Sequence, residues 1–175
     1  MATALKIIRS IMYKLTLPKL LLSHALTLLF GIAVGIYLLP LLTAGDSPDE
    51  NALDQVMENR HYSGTFSRDR EDSDLLHWGE GELSIGPSRI AFSGRLAPGP
   101  DYRLYLSPVF IETEGAFIEQ KESMQEIGAI NTFDGFLIDI PTGVDPATYT
   151  TAIVWCETFD QFITSAVYKT AENNQ

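Results

Sequence analysis

Two hydrophobic patterns divide the chain. From Leu20 to Leu42 it reads LLLSHALTLLFGIAVGIYLLPLL, 23 residues without a formal charge when His24 is neutral. At about 1.5 Å of rise per residue such a helix covers roughly 35 Å, against a hydrocarbon core of about 30 Å. The length favours an uncleaved transmembrane helix over residues 20–42. A cleaved secretory signal is the alternative, with small residues at Ala44 and Gly45 in LTAGD as its cleavage site.

From Tyr62 onward the period shortens from that of a helix to that of a strand. In ELSIG, Leu83 and Ile85 fall on one side, and RIAFSG follows after Gly86–Pro87–Ser88. In DYRLYLS, Tyr102, Leu104 and Leu106 alternate with Arg103 and Tyr105, the mark of a half-buried strand. FLIDI, YTTAIVWCE and SAVYK supply further strands, and PTGVDPA and APGPD supply turns. TAIVWCE is apolar on both faces, with Ala152, Val154 and Cys156 on one and Ile153 and Trp155 on the other, so it reads as a central strand covered on both sides. Phe159 and Phe162, three apart, read as one helical turn laid over the core, and Glu119 to Gly128 as an ambiguous segment holding a helical turn. Short strands separated by Gly and Pro give an all-β fold, an antiparallel β-sandwich or barrel-like domain behind the N-terminal transmembrane helix.

The expected organisation is a basic cytoplasmic segment over 1–19, the transmembrane helix over 20–42, a linker over 43–60, a β domain over 61–170 and a tail over 171–175. Within the linker, Ser47 caps a short helix with Pro48 at its first position.

Charge orients this arrangement. Lys6, Arg9, Lys14 and Lys19 precede the apolar run, and Asp46, Asp49, Glu50 and Asp54 follow it. Basic flanks stay on the cytoplasmic side, which makes the chain a single-pass protein of the cell membrane with its C-terminal domain extracytoplasmic. Residues 44–175 hold all 23 acidic residues and 8 of the 12 basic ones, a formal charge of −15 (8 − 23). Such a surface repels phosphate backbones, so nucleic acid is not an expected partner. The same acidity keeps a tethered domain soluble, and a docking face for a basic partner is its other reading.

An exported domain with one cysteine raises a chemical question, because a free thiol in an oxidising compartment invites pairing or over-oxidation. Cys156 is the single cysteine. It is a buried small hydrophobe, a thiolate ligand to a metal or haem iron, or half of a mixed disulfide with a partner. Blue copper is disfavoured: only His61 and His77 stand in the exported part, and no His or Met follows Cys156. Attached haem needs C-x-x-C-H, which is absent, whereas a non-covalent haem on Cys156 or His77 stays open. No G-x-S-x-G or other hydrolase arrangement is present. Glu80 and Glu82 read as solvated charges on one strand face. Trp155 beside the thiol is either a core aromatic or an electron relay.

Several stretches together resemble the DM13 domain, an electron-transfer family. They are HWGEGELSIGPSRIAFSGRLAPGPDYRLYLSP, FDGFLIDIPTGVD and TTAIVWCETFDQFITSAVY, spread over roughly residues 61–170. His77, Gly79 and Gly81 match the strand entry of that family, and Gly99, Pro100 and Asp101 match its GPD turn. Ile140, Pro141, Gly143, Val144 and Asp145 match a second turn. Val154, Trp155, Cys156, Phe159, Phe162 and Ala166 match the closing motif, the most specific of these. Two positions depart from the pattern: FITSA stands where a glycine is usual, and GAINT where a lysine-containing turn is usual. The resemblance implies a redox role centred on Cys156, with Trp155, His77, Asp101 and Phe159 as supporting candidates, a redox partner protein, and a haem or similar group. A cofactor-free β domain that binds a ligand or a protein, with Cys156 as core filler, is the alternative.

Overall fold

The computed structural model describes residues 2–170 of the 175-residue chain, and side chains from residue 16 onward. The expected basic segment therefore lies partly, and the 171–175 tail wholly, outside the described residues. Two compact units are present, divided between Leu39 and Pro40.

The first unit is carried by α1 (Ala2–Thr43). Its stretch Thr16–Thr43 is 28 residues long and apolar enough to cross a membrane, a test that a signal sequence near the N-terminus also passes. Ser23 and Thr27 donate their hydroxyls to the carbonyls of Leu20 and Ser23, so these two polar groups of the apolar run are satisfied within the helix.

The second unit opens with α2 (Glu50–Glu58). Asp49, and not Ser47, caps this helix, its carboxylate accepting from the Ala52 backbone N–H at 3.1 Å. An aspartate at that position satisfies an orphan donor and sets negative charge at the positive end of the helix dipole, so the helix begins two residues beyond Pro48. Val56 is its buried residue and packs against the turn at Gly86.

Eight strands follow: β1 (Tyr62–Phe66), β2 (Gly79–Ile85), β3 (Arg89–Leu96), β4 (Tyr102–Ser107), β5 (Gln125–Ile130), β6 (Phe136–Asp139), β7 (Thr151–Cys156) and β8 (Gln161–Val167). They form two antiparallel four-stranded sheets, β1-β2-β3-β6 and β5-β4-β7-β8. Leu83, Ile85, Ile90 and Phe92 of the first sheet and Tyr102, Leu104, Leu106, Val154 and Ile163 of the second form one buried cluster. Gly64 lets β1 approach β8, because a Cβ there would stand 2.7 Å from the Val167 carbonyl oxygen. The loop 67–78 lies along the free edge of β8. Arg70 and Ser73 donate to the Ser165 and Ile163 carbonyls at 3.0 and 3.1 Å, which removes unpaired edge acceptors.

The outer face of the second sheet is covered as well. There α3 (Glu114–Gln120), capped by Thr113, lays Phe117 over Tyr105, Ile153 and Trp155. Residues 119–128 resolve into the end of α3, a 3-10 turn at Lys121–Ser123 and the start of β5. Two expectations are thereby revised. Tyr105 is buried instead of solvent-facing, so β4 resembles β7 in being covered on both sides. Phe159 and Phe162 do not form a helical turn: Phe162 is a buried residue of β8, and Phe159 stands 47% exposed in the β7–β8 turn. The β-bulge at Val154/Trp155 pairs Trp155 with Phe162, so the chain reverses over Glu157 to Asp160 without a helix.

Candidate functional site

Cys156 ends β7, where the strand's alternation turns its side chain toward the shared core beside Tyr102, Leu104 and Val154. It is 2% exposed. Its thiol nevertheless has three polar neighbours. Sγ donates to the Pro100 carbonyl at 3.0 Å, and the backbone N–H groups of Thr158 and Phe159 stand near enough to favour its charged form. Pro100 and Asp101 belong to the GPD turn before β4, and Asp101 takes a left-handed φ of 51°. Gly99 opens that turn, where a Cβ would meet the Tyr102 ring at 2.6 Å. The Asp101 carbonyl accepts from Glu157 N at 3.1 Å, while its carboxylate meets Arg103 at 3.1 Å and the Thr158 hydroxyl at 3.4 Å. The GPD turn and the β7–β8 turn thus close on the sulfur from both sides.

Burial is the largest influence on this thiol and pushes its pKa up. The N–H groups of Phe159 and Thr158 oppose that shift, and the carboxylates of Asp101 and Glu157 add to it. The net direction is upward, so Cys156 is a thiol at neutral pH.

Of the supporting candidates, Asp101 and Phe159 adjoin Cys156, Phe159 through its backbone N–H and not its ring. Trp155 points away from the sulfur to the outer face of the sheet. There it is fully buried and stacked on Phe117, with ring centroids 3.9 Å apart and planes 8° from parallel. Its Nε1 has no hydrogen-bond partner. His77 stands apart from this set. Its Nδ1 lies 3.1 Å from the Asp74 carboxylate, in a loop that Asp74 also organises by accepting from the Leu76 and His77 backbone N–H groups at 2.7 Å. Glu80 and Glu82 are exposed on β2 and pair with Arg68 at 2.8 Å and Arg60 at 3.9 Å.

A haem ligated through Cys156 does not fit this environment. The sulfur is enclosed by core side chains, and its thiol hydrogen is engaged by the Pro100 carbonyl. Among the described residues no group of three or more His, Cys, Asp or Glu is placed to hold a metal ion.

Beside Trp155 lies a polar cluster that the sequence did not disclose. The Tyr105 hydroxyl donates to Glu157 at 2.5 Å and lies 3.4 Å from Glu126. Lys121 donates to both Glu157 oxygens at 3.0 and 2.8 Å, and Arg103 meets Glu126 at 3.3 Å. These residues come from β4, β5, the 3-10 turn and the end of β7, and they share no local motif. The one sequence signal was an aromatic residue in the polar row of DYRLYLS.

Two antiparallel four-stranded sheets sharing one buried cluster, with Cys156 among its residues, make up a β-rich domain. The family profile described as electron transfer DM13 matches residues 71–168, more than half of the chain, and the chain belongs to that family. No curated protein and no solved structure matches it.

Proposed function

We propose that this chain is a membrane-tethered electron-transfer module whose redox centre is Cys156. In this reading the two sheets form a sandwich over 61–170, held outside the cytoplasm by the anchor at Leu20–Leu42. The N-terminus is cytoplasmic, and electrons are exchanged with a redox partner protein. Membership of an electron-transfer family supports the redox role, and the matched region includes Cys156. The observation that carries the assignment to the sulfur is its hydrogen bonding. A cysteine that only fills space needs no polar partner, yet Sγ donates to the Pro100 carbonyl at 3.0 Å, with the N–H groups of Thr158 and Phe159 near it. Backbone N–H groups directed at a sulfur tune how readily it yields an electron.

A second reading is supported by the burial of the same atom and by an exposed apolar patch. Leu75 is 94% exposed, and its loop is joined to that of Val109 and Phe110 by the Arg70–Phe110 contact and the Asp72–Glu112 hydrogen bond. In this reading Cys156 is structural, and the domain binds a ligand or protein at the membrane surface. Cys156→Ser separates the two. In the purified full chain in detergent, redox titration should lose a couple in the variant while the far-UV spectrum stays unchanged. An unaltered titration would favour the binding domain. A Soret band lost with Cys156 would instead require a haem ligand at the sulfur and overturn the environment described above.

A further inference from the structure

The strongest unassigned chemistry lies on the opposite face of β7 from Cys156. Tyr105 is 5% exposed, yet its hydroxyl has a base beside it, Glu157 at 2.5 Å. Lys121 holds that carboxylate through both oxygens, so it is fixed and ionised where it receives the phenol. Glu126, at 3.4 Å, has its charge engaged by Arg103. The phenol ring packs edge-on against Phe117 at 5.2 Å, and Phe117 in turn stacks on Trp155. A phenol donating to a fixed carboxylate can lose an electron without building up positive charge, because the proton leaves by the hydrogen bond already in place. Trp155 lacks that provision, since its Nε1 has no acceptor. Tyr168, also buried, donates to the Pro146 carbonyl, which is no base at neutral pH.

We infer that Tyr105 is a redox-active phenol in its own right, with Glu157 as its proton acceptor and Lys121 as the residue that positions that acceptor. The step balances as follows. One electron passes from the Tyr105 ring to an outer-sphere one-electron oxidant. The Oη–H bond breaks, an O–H bond forms on Glu157 Oε1, and a neutral tyrosyl radical stands beside a carboxylic acid. Return of one electron reverses both transfers. Burial and the two carboxylates disfavour the phenolate, so the proton moves only with the electron. Glu157 is raised by burial, but the hydrogen bonds from Lys121 and Tyr105 and the Lys121 charge outweigh that, and its pKa is low. It therefore holds the proton weakly and returns it readily. This site goes beyond the Cys156 reading and does not depend on it.

Flash-quench oxidation of the full chain in detergent micelles tests it, with a photogenerated ruthenium(III) polypyridyl complex as the oxidant and EPR as the readout. The wild type should give a tyrosyl signal that Tyr105→Phe largely removes and that Tyr168→Phe and Cys156→Ser leave in place. Its formation should slow in D2O. Glu157→Gln, with its far-UV spectrum unchanged, should slow formation roughly a hundredfold, the lower range for loss of a positioned base. A signal that survives Tyr105→Phe at full yield would overturn the assignment. So would equal formation rates in H2O and D2O, a measurement on the wild type that stands even where a variant fails to fold. Loss of the signal in Cys156→Ser would contradict the independence of the two centres.

Discussion

Replacing Trp155 with alanine tests the two-sided burial of β7 most severely. The indole is fully buried on the outer face and stacked on Phe117 at 3.9 Å. Large-to-small changes of buried tryptophan cost about 3–5 kcal/mol through lost transfer energy and the cavity left behind. The stacked pair adds about 0.5–1.5 kcal/mol of geometry-specific interaction. One effect opposes these: the orphaned Nε1 is itself a burden of about 1–3 kcal/mol, and it disappears with the ring. The expected net loss is about 3–4 kcal/mol. Trp155→Phe isolates the opposing effect, since it keeps an aromatic ring over Phe117 and removes the unpartnered donor, and should cost less than about 2 kcal/mol. Urea denaturation of residues 44–175 expressed alone, followed by far-UV circular dichroism, reads both, with the slope unchanged if the unfolding stays two-state. A midpoint unmoved by Trp155→Ala would refute the burial of that face. A loss well above about 2 kcal/mol in Trp155→Phe would refute the burden of the orphaned donor.

Maleimide should label Cys156 slowly in the native protein at neutral pH and completely after unfolding, because the thiol is enclosed and protonated; rapid native labelling, read by mass spectrometry, would contradict the enclosure. Acidification should destabilise the domain partly through Glu157. Its folded pKa is low, so its contribution is present above the ordinary carboxylate value and is lost as pH falls through the folded value. Denaturation midpoints measured from neutral to acidic pH should fall less steeply in Glu157→Gln, and identical slopes would remove Glu157 from the account. A reporter active only outside the cytoplasm, fused after Gln175, should be active with the protein in the membrane fraction. Activity of a cytoplasm-only reporter at the same place would reverse the orientation, and release of the domain would show a cleaved signal.

The alternation along the chain carried much of the architecture. Leu83 and Ile85, and Tyr102, Leu104 and Leu106, face the shared core as their period-two spacing implies, and both faces of Thr151–Cys156 are buried. The misread elements are those whose environment is supplied by distant chain. Tyr105 occupies a polar row in its own strand, and it is covered by a cluster that includes Phe117 of α3, twelve residues later. The spacing of Phe159 and Phe162 fits a helical turn, but the register shift between β7 and β8 and the left-handed Asp160 make a turn there instead. Ser47 and Asp49 are both competent caps, and spacing alone does not choose between them. At the site, Cys156 and Asp101 were legible from their motifs. Their meeting through the Pro100 carbonyl, and the convergence of Tyr105, Glu157 and Lys121, are tertiary facts without a local signature.

The central claim is that Cys156 is the redox centre of an electron-transfer domain, and counting electrons tests it most directly. Coulometric titration of the purified full chain in detergent, paired with the Cys156→Ser variant and with folding checked by circular dichroism, gives the number of electrons the sulfur exchanges. The account predicts a reversible couple in the wild type that is absent from the variant. Equal electron counts in two equally folded proteins would contradict it and leave Cys156 as a core residue.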